Sequence, residues 1–434
     1  MSDKIRVLII YTDTIGGIGF YRSVQPHQKL LSMYPDEFEI ASMSKPDFSN
    51  LEAFKQFQII HFHRGLFFDT NEKQANFVRA LNFFKENGIV TIMDIDDHWK
   101  LGSEHPQYKM QLFSRKTGDE FNQEDAIKTN LKLVDYVTTT TEFFAKMIRP
   151  FNKNVIVFPN AIDPTDKRFV VEKPQCSKLR IGFIMGSTHE PDLQTMGGFV
   201  GALPKDILDK IEIVLCGFDN RGTMTYYAPD GTKQIRPMTP QEGVWYRYEK
   251  MVTDNYKIVS PQYKQFLEQF VPNSVYPNAE QEGYKRCWTK DMNNYYQHYR
   301  EIDVLLAPLK ENEFNLVKSE LKPVECCFSH TAFIGSNFGP YTIGLKNFFK
   351  KGGEIDPDGN AILIDNRRSP KDWVKAIEKL VKHPEYVKML QDNLYRDFHE
   401  KYDLATVTKQ REKFYKEIII QKQIDKKYET LLNA

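Results

Sequence analysis

The sequence predicts an α/β protein with two parallel-sheet domains, and three features indicate this. Short apolar runs of strand length recur at wide spacing, such as RVLIIY near the start of the chain and VLLAPL after residue 303. Helical patterns separate several of them, and one, KQANFVRALNFFKENG, stops at Gly88, a residue that favours helix termination. A strand, a glycine turn and a helix follow one another twice, at GGIG and at MGSTHE. Apolar strands alternating with helices form a parallel sheet covered on both faces.

The two successions of strand, glycine turn and helix divide the chain of 434 residues into two halves. A polar, proline-containing stretch, DPTDKRFVVEKPQCSK, precedes the second succession and is the predicted linker. We therefore predict an N-terminal domain at 1–165, a second domain at 176–390, and C-terminal helices at 391–434 that pack back on the first domain. Residues 220–299 are rich in Tyr, Trp, Pro and Gln and are too long for a plain loop, so they are the predicted insert of the second domain.

Charge, cysteines and apolar content exclude several classes of protein. The net charge of +1 provides no field for a polyanion, so nucleic acid is not an expected partner. Five scattered cysteines have neither a disulfide nor a zinc spacing. No signal region follows MSDK, and no apolar stretch approaches the roughly 20 residues that span a bilayer. We expect a cytoplasmic protein, with peripheral contact to the inner face of the membrane left open.

The C-terminal stretch QREKFYKEIIIQKQIDKKYE is mildly basic and amphipathic. We interpret it as a solvated helix that packs through its Ile/Tyr face, in preference to a membrane or nucleic-acid site.

Each glycine turn is a candidate anion site. After the first strand, Gly16 and Gly17 begin a turn whose backbone N–H groups and following helix end are directed at an anion. The third glycine of the dinucleotide fingerprint is missing, and a tight turn that needs positive φ is the alternative. In the second half, Gly186 and His189 repeat the arrangement, with the histidine near the helix start as a phosphate contact or as part of an exposed capping turn.

The stretch ENEFNLVKSELKPVECCFSH lies between two predicted buried strands and carries Lys318, Ser319, Lys322 and Glu325. We predict a helix through LVKSELKPVECCF, in which Lys318 and Lys322 share a face and Glu325 lies on the same side. This helix starts at the carboxyl edge of a parallel sheet, where open α/β sheets bind ligands. A lysine there neutralises a diphosphate, and a carboxylate holds a ribose diol. A solvated helix face is the alternative.

The stretch TIMDIDDHW places Asp94, Asp96, Asp97 and His98 at another strand end. Three carboxylates and an imidazole can bind a metal, serve as a base, or accept hydrogen bonds from sugar hydroxyls. Helix capping with solvated charge is the alternative, although adjacent carboxylates repel one another unless something compensates them.

Together these features resemble the GT-B glycosyltransferases, two-domain enzymes that use nucleotide sugars. The resemblance is closest to the retaining branch that builds bacterial surface polysaccharides, the group 1 or family 4-like enzymes. VFPNAID, at 157–163, is similar to that branch's vPNgiD junction, and LLAPLKENEFNLVKSELKPVECCFSHTAFIGSNFGPY is similar to its donor-site segment. The resemblance covers both halves but not the insert. It implies two Rossmann-like domains facing a cleft, with the acceptor side on the first and the donor side on the second.

The resemblance also implies roles for the candidate residues. Glu325 would hold the ribose, Lys318 and Ser319 would lie near the diphosphate and the sugar, and Asp94 or Asp96 would replace the family's sugar-facing histidine. The predicted catalytic residues are Asp94, Asp96 and Lys318. The predicted donor-binding residues are Gly16, Gly17, Gly186, His189, Lys318, Ser319, Lys322 and Glu325.

Two departures from the family pattern are visible. Eight residues before Glu325 the family has a second glutamate, and Val317 stands there in this chain. The basic pair that follows the first strand of the family's second domain is not evident in MGSTHEPD, so we assign the diphosphate to Lys318, Lys322, His189 or Arg22.

The predicted function is a hexosyltransferase-like glycosyltransferase. It moves a sugar from a nucleotide diphospho-sugar to a hydroxyl of a glycan, a lipid-linked molecule or another acceptor, and needs no metal or other cofactor. The resemblance implies a retaining outcome, with lysine charge and helix-end N–H groups stabilising the leaving diphosphate. The alternatives are a catalytically degenerate nucleotide-sugar-binding protein, a metal-dependent transferase using Asp94 and Asp96, and a transferase acting on a modified base in DNA.

Overall fold

The computed structural model of the chain divides into two compact units. Unit 1 comprises Met1–Pro164, Asn312–Val324 and Glu400–Ala434, and unit 2 comprises Thr165–Glu311 and Glu325–His399. The segment 312–324, which the sequence assigns to the second domain, is therefore grouped with unit 1. The structure describes residues 4–11, 17–44, 46–64, 70–105, 108, 112, 120–227, 232–253, 260–272, 274, 276 and 283–432.

A six-stranded parallel sheet forms the centre of unit 1. Its strands are β1 (Ile5–Ile10), β2 (Phe38–Met43), β3 (Ile59–His63), β4 (Val90–Ile95), β5 (Tyr136–Thr139) and β6 (Val155–Val157). They are arranged in the order β2-β1-β3-β4-β5-β6, and all neighbours are parallel. Alternate residues of β1 enter two cores, with Leu8 and Ile10 on one face and Val7 and Ile9 on the other. Both faces are therefore covered, as continuous apolar strands predict.

Among the described residues of unit 1, five α-helices follow its strands. They are α1 (Gly17–Gly19), α2 (Gln25–Met33), α3 (Asn71–Glu86), α4 (Gln123–Leu133) and α5 (Glu142–Ile148), and the π-helical stretch Phe20–Val24 joins α1 to α2. Side-chain oxygens of Thr70, Asn122 and Thr141 accept backbone N–H bonds at the starts of α3, α4 and α5. Gly88 has a φ of 71° just after α3, which glycine adopts at little steric cost.

Unit 2 contains a second six-stranded parallel sheet and a separate hairpin. Its strands are β7 (Leu179–Ile184), β8 (Ile211–Phe218), β9 (Thr223–Tyr227), β10 (Lys233–Pro237), β11 (Tyr284–Trp288), β12 (Val304–Ala307), β13 (Ala332–Ser336) and β14 (Ile362–Ile364). The sheet order is β11-β8-β7-β12-β13-β14, and β9 pairs antiparallel with β10. The insert contributes the edge strand β11, which sequence periodicity does not predict.

The remaining α-helices complete both units. In chain order they are α6 (Glu190–Leu193), α7 (Phe199–Ala202), α8 (Lys205–Leu208), α9 (Val244–Thr253), α10 (Pro261–Glu268), α11 (Glu313–Leu316), α12 (Leu321–Phe328), α13 (Lys371–Lys382), α14 (Glu385–Phe398) and α15 (Leu404–Leu432). In unit 1, α15 packs on the β1 face that carries Val7, through Val407, Phe414, Tyr415 and Ile418. Across the described residues, none of these helices is long and apolar enough to cross a membrane.

The insert of unit 2 is organised around a buried ion pair. Arg286 on β11 contacts Glu249 on α9, with Nε 3.0 Å from Oε2. The guanidinium carbon lies 3.6 Å from the ring centroid of Tyr263, 5.1 Å from that of Tyr276 and 4.8 Å from that of Tyr284. Aromatic residues of the insert thus form a packed core around a compensated charge.

Candidate functional site

A buried ion pair joins the helical region after β1 to the end of β4 in unit 1. Arg22 Nε and Nη2 lie 3.0 Å and 2.8 Å from the two carboxylate oxygens of Asp94. The hydroxyl of Thr138 on β5 donates to Asp94 Oδ2 over 2.6 Å. Burial alone raises the pKa of Asp94, but the charge and hydrogen bonds of Arg22 outweigh it and hold that pKa below its ordinary value. Both oxygens of Asp94 are therefore engaged within the protein.

The same arginine reaches the segment that carries Ser319. Arg22 Nη1 donates to the Phe158 carbonyl over 2.7 Å and to Asn160 Oδ1 over 3.0 Å. Asn160 Nδ2 in turn donates to Ser319 Oγ over 3.0 Å. Residues of VFPNAID thus connect Arg22 to Ser319 by side-chain hydrogen bonds inside unit 1.

Arg64 and His63 compensate the other carboxylates that follow β4. His63 Nε2 and Arg64 Nε lie 3.0 Å and 3.2 Å from Asp96 Oδ1, and Arg64 Nη2 lies 2.9 Å from Asp97 Oδ2. Burial raises the pKa of Asp96, but the charge of His63 and then that of Arg64 lower it further than burial raises it. Burial and the charge of Asp96 raise the pKa of Asp97. The repulsion within DIDD is therefore balanced by basic side chains of the neighbouring strand β3 and its end.

No group of three His, Cys, Asp or Glu side chains is placed to hold a metal ion in the part of the chain that the structure describes. A metal ion at Asp94 and Asp96 would have to compete with Arg22 and Arg64 for the carboxylate oxygens.

The predicted helix through LVKSELKPVECCF is wrong in its first half. Helix α11 ends at Leu316 and α12 begins at Leu321, so Lys318 and Ser319 lie between two helices. Lys318 therefore does not share a helix face with Lys322, the second residue of α12. The ammonium of Lys318 lies 5.2 Å from the ring centroid of Phe314.

Three side chains explain why the helix is interrupted. Val317 is fully buried in the core of unit 1, and Ser319 is bonded to Asn160. Glu320 is also buried, and its Oε1 accepts the hydroxyl hydrogen of Tyr402 over 2.9 Å. These tertiary contacts hold the backbone between the two helices and outweigh its local helical preference.

Sequence reasoning did not single out Glu320, because a glutamate between Ser319 and Lys322 has the pattern of a solvated surface. Its second oxygen, Oε2, is buried without a hydrogen-bond partner among the described residues. Burial raises the pKa of this carboxyl.

In unit 2, the turn after β7 is held by a network at the carboxyl edge of the sheet. Tyr248 accepts the His189 N–H over 2.8 Å and donates to the Gly186 carbonyl over 3.2 Å. His189 Nδ1 lies 2.7 Å from Asp192 Oδ2, and the other Asp192 oxygen accepts the Lys310 N–H over 2.8 Å. The turn after β7 and the turn after β12 are thus joined through one buried aspartate, which the sequence did not indicate.

A second polar group lies where β12, β13 and β14 end. Ser336 Oγ accepts the Leu309 N–H over 2.9 Å, and Asn366 Nδ2 donates to the Leu309 carbonyl over 2.8 Å. Ser336 and Asn366 each stand alone after an apolar strand, and a single serine or asparagine in that place is too common to predict a functional site.

Glu325 is fully buried on α12. Its Oε2 accepts the Tyr299 hydroxyl hydrogen over 2.7 Å and has the Tyr295 hydroxyl at 3.5 Å, while the Tyr296 hydroxyl donates to its backbone carbonyl over 2.7 Å. These tyrosines belong to the end of the insert. A diol that binds this carboxylate would have to replace a tyrosine hydroxyl.

The predicted site residues are distributed over the two units. Gly16 lies outside the described residues, and Gly17 is the first residue of α1. Unit 1 also contains Asp94, Asp96, Lys318, Ser319 and Lys322, whereas unit 2 contains Gly186, His189 and Glu325.

Solved structures with the same fold are glycosyltransferases and related proteins. The Anabaena protein HepE in complex with UDP and glucose has a TM-score of 0.57 at 9% identity, covering 95% of this chain and 100% of that chain. An alpha-glucosyltransferase in complex with UDP-glucose and DNA containing an abasic site has a TM-score of 0.54 at 10% identity, over 95% of this chain and 100% of that chain. The catalytic domain of starch synthase IV from Arabidopsis thaliana, bound to ADP and acarbose, has a TM-score of 0.52 at 9% identity, over 96% of this chain and 99% of that chain.

No family model matches the sequence, and no curated protein matches it. The two parallel six-stranded sheets and the match over nearly whole chains confirm the predicted fold class. The chain has the two-domain, Rossmann-like fold of the GT-B glycosyltransferases.

Proposed function

We propose that the chain is a glycosyltransferase that moves a sugar from a nucleotide diphospho-sugar to a hydroxyl acceptor. The observation that supports this most strongly is the extent of the fold similarity to HepE, whose structure contains UDP and glucose and which matches 95% of this chain. Both domains of such a protein are therefore represented here. The polar groups at the carboxyl edges of the two sheets add support, because open α/β sheets bind ligands at that edge.

In unit 2 we assign donor recognition to Glu325, His189 and Gly186. The Glu325 carboxylate would accept both hydroxyls of a ribose in place of the Tyr299 hydroxyl that it accepts now. Asp192, bonded to Nδ1 of His189, fixes the orientation of the imidazole, and we assign the contact with a phosphate oxygen to Nε2.

In unit 1 we assign Lys318, Ser319 and Lys322 to the diphosphate and the donor sugar, with Gly17 contributing at a helix start. Negative charge grows on the diphosphate as the bond between the sugar and the diphosphate breaks, and the site must stabilise that charge. Positioned ammonium groups stabilise that charge more in the transition state than in the ground state, which is the condition for catalysis. The mechanism assigns no metal ion and no other cofactor.

We retain Asp96 as a candidate catalytic residue and propose a positioning role for Asp94, the other carboxylate predicted to be catalytic. Asp94 is wholly enclosed by Arg22 and Thr138, so we assign it to positioning the helical region after β1. Asp96 is 12% exposed, and we assign it to a hydrogen bond with a hydroxyl of the donor sugar. The metal-dependent alternative predicts that a chelator such as EDTA abolishes donor turnover, whereas our proposal predicts unchanged turnover.

For the acceptor we propose a hydroxyl of a glycan or of a lipid-linked molecule, with retention of configuration at the anomeric carbon. Proton NMR of the first product formed would report that configuration directly. A DNA acceptor is the other candidate, because one structure of the same fold contains DNA. The net charge of +1 gives no attraction for duplex DNA, and a mobility-shift experiment at low salt would detect such binding.

The deciding experiment is calorimetric titration with UDP-, ADP- and GDP-sugars, followed by measurement of nucleoside diphosphate release. We expect one nucleotide class to bind, and Glu325→Ala and Lys318→Ala each to weaken it about tenfold or more, the loss of one good charged hydrogen bond. Glu385→Ala and Lys388→Ala, on the exposed face of α14, are matched controls and should bind like the parent.

Binding of no sugar nucleotide by the parent would refute the proposal. Binding without release of a nucleoside diphosphate would favour the degenerate binding protein instead.

A further inference from the structure

Two cysteines that are far apart in the sequence lie opposite each other on neighbouring strands of unit 2. Cys216 on β8 is paired in register with Cys287 on the edge strand β11, and both are free thiols. Neighbouring strands of a sheet lie about 4.8 Å apart, which is inside the range of about 4.4–6.8 Å that separates the two Cα atoms of a disulfide. The backbone therefore holds these cysteines at the separation that a disulfide needs.

Contacts of the surrounding side chains show that both thiols lie on the same face of the sheet. Cys216 Sγ lies 4.0 Å from the carbonyl oxygen of His298. Lys285 is two residues before Cys287 and therefore on the same face of β11, and its Nζ lies 2.7 Å from Glu301 Oε2. His298 and Glu301 belong to one 3₁₀-helical segment, so both cysteines face that segment.

A bulge at Gly217 fixes the register in which the two cysteines meet. The pairing runs from Cys216 opposite Cys287 to Phe218 opposite Trp288, and it passes over Gly217. The φ of this glycine is 94°, a backbone conformation that other residues adopt only with strain. The position of the two thiols is therefore determined by the backbone and not by side-chain packing alone.

The two thiols differ in their reactivity. Cys287 is half-buried, whereas Cys216 is buried. A hydrogen bond from the Cys216 thiol and the charges of Lys285 and Lys290 lower the pKa of Cys287 by more than burial raises it. Burial raises the pKa of Cys216 well above its ordinary value. Because the thiolate is the nucleophile, Cys287 is the thiol that reacts first, and Cys216 is in place to react with the product.

We propose that Cys287 and Cys216 form a peroxide-reactive pair, in which Cys287 is oxidised and Cys216 converts the product into a disulfide. The Cys287 thiolate attacks one oxygen of a hydroperoxide, and the O–O bond breaks to give a sulfenic acid and, after protonation, an alcohol or water. Cys216 Sγ then attacks that sulfur, the S–O bond breaks, and the thiol proton leaves with the hydroxyl group as water. The pair of sulfurs loses two electrons, and the hydroperoxide gains them.

The disulfide would tie the edge strand β11 to β8, and a dithiol reductant would reverse it. The inference does not depend on the proposed transfer reaction, since the oxidation is measured on the protein without donor or acceptor.

Peptide mass spectrometry of the full chain tests the pair. The parent is treated briefly with hydrogen peroxide, and the remaining thiols are alkylated under denaturing conditions. A proteolytic digest should then contain a peptide pair linked through Cys216 and Cys287, lighter by two hydrogen atoms than the two reduced peptides, and dithiothreitol should remove it. Cys176, which is exposed, should be recovered in its alkylated form from the same digest.

Dimedone, which labels sulfenic acids, separates the roles of the two cysteines. In Cys216→Ala the sulfenic acid of Cys287 has no thiol opposite it, so dimedone labelling of Cys287 should exceed that of the parent. In Cys287→Ser, Cys216 should remain a thiol, because it is buried and protonated. Cys176→Ser is the matched control and should form the linked peptide as the parent does.

The proposal would be overturned if the peroxide-treated parent contained no linked peptide, or if Cys216 and Cys287 were linked chiefly to other cysteines. Equal dimedone labelling of Cys287 in the parent and in Cys216→Ala would remove the role of Cys216.

Hydrogen exchange of the parent needs no variant and decides the matter should Cys216→Ala fail to fold by circular dichroism. Exchange of Tyr284–Trp288 should slow in the oxidised parent and return to its first rate with dithiothreitol, because a covalent link opposes the opening of an edge strand. Unchanged exchange in a sample that contains the disulfide would contradict the tie between β11 and β8.

Discussion

Arg22 and Asp94, which are 72 positions apart in the chain, form a two-point ion pair in which neither side chain is more than 2% exposed. The pair fixes the helical region after β1 to the end of β4, and Arg22 extends it through Asn160 to Ser319. One guanidinium thus organises three segments of unit 1 that the sequence marks separately as glycine turn, acidic strand end and lysine-bearing connection.

Removing one member of this pair should be far more costly than removing both. Arg22→Met leaves a buried carboxylate uncompensated, so we expect urea denaturation to show a loss of about 3–5 kcal/mol in the free energy of unfolding. Arg22→Met/Asp94→Asn should recover most of that loss, because the amide oxygen keeps the Thr138 hydrogen bond. The exposed ion pair between Arg149 and Glu142 provides the control, and Arg149→Met should leave the free energy of unfolding nearly unchanged. A cost for Arg22→Met as small as that of the control would contradict a compensated buried pair.

Glu320 should make the stability of the protein fall as the pH rises. Burial raises the pKa of Glu320 above its ordinary value of 4.5, so its contribution is fully present below the unfolded pKa and is lost as the pH rises through the folded one. Glu320→Gln keeps an acceptor for the Tyr402 hydroxyl and removes the titration. We expect the melting temperature of Glu320→Gln relative to the parent to be higher at about pH 8 than at about pH 4.5. If the difference in melting temperature between Glu320→Gln and the parent were the same at both pH values, Glu320 would not titrate in this way.

Asp192 should control the two turns that it joins at the carboxyl edge of the sheet in unit 2. Asp192→Ala removes the acceptor for the Lys310 N–H and for His189, so both turns lose their common anchor. We expect the free energy of unfolding to fall by about 1–3 kcal/mol and nucleotide-sugar affinity to fall about tenfold. The control is Asp372→Ala on the surface of α13, which should change neither quantity. Parent-like affinity in Asp192→Ala, measured by calorimetry, would remove His189 from the proposed donor site.

The ion pair of the insert should determine whether β11 stays in its sheet. Glu249→Ala leaves Arg286 buried among tyrosine rings without its carboxylate, so we expect a loss of about 3–5 kcal/mol. Hydrogen exchange of Tyr284–Trp288 should accelerate more than that of β12, because β11 is the edge strand. Glu378→Ala, on an exposed ion pair of α13, serves as the control. Unchanged exchange of β11 would mean that the aromatic rings alone hold it.

Features that depend on local pattern could be predicted from the sequence. The apolar strands of both sheets and the stop of α3 before Gly88 are visible in a few consecutive residues. The contacts of Arg22 and Asn160 were not visible, since their partners lie 72 to 159 positions away. The break between α11 and α12 has the same origin, because buried Val317 and Glu320 override a locally helical pattern. Tertiary contacts, which leave no local period, therefore decided the parts of the candidate site that the sequence could not supply.

The grouping of Glu400–Ala434 with unit 1 has a consequence for biosynthesis. Leu404, Val407, Tyr415 and Ile418 cover one face of the first sheet together with Leu30 of α2, so the cover of that face is incomplete until the last segment has been translated. Unit 2, whose segments end at His399, can close its own core sooner. The half of the protein that is made first is thus the half whose core is completed last.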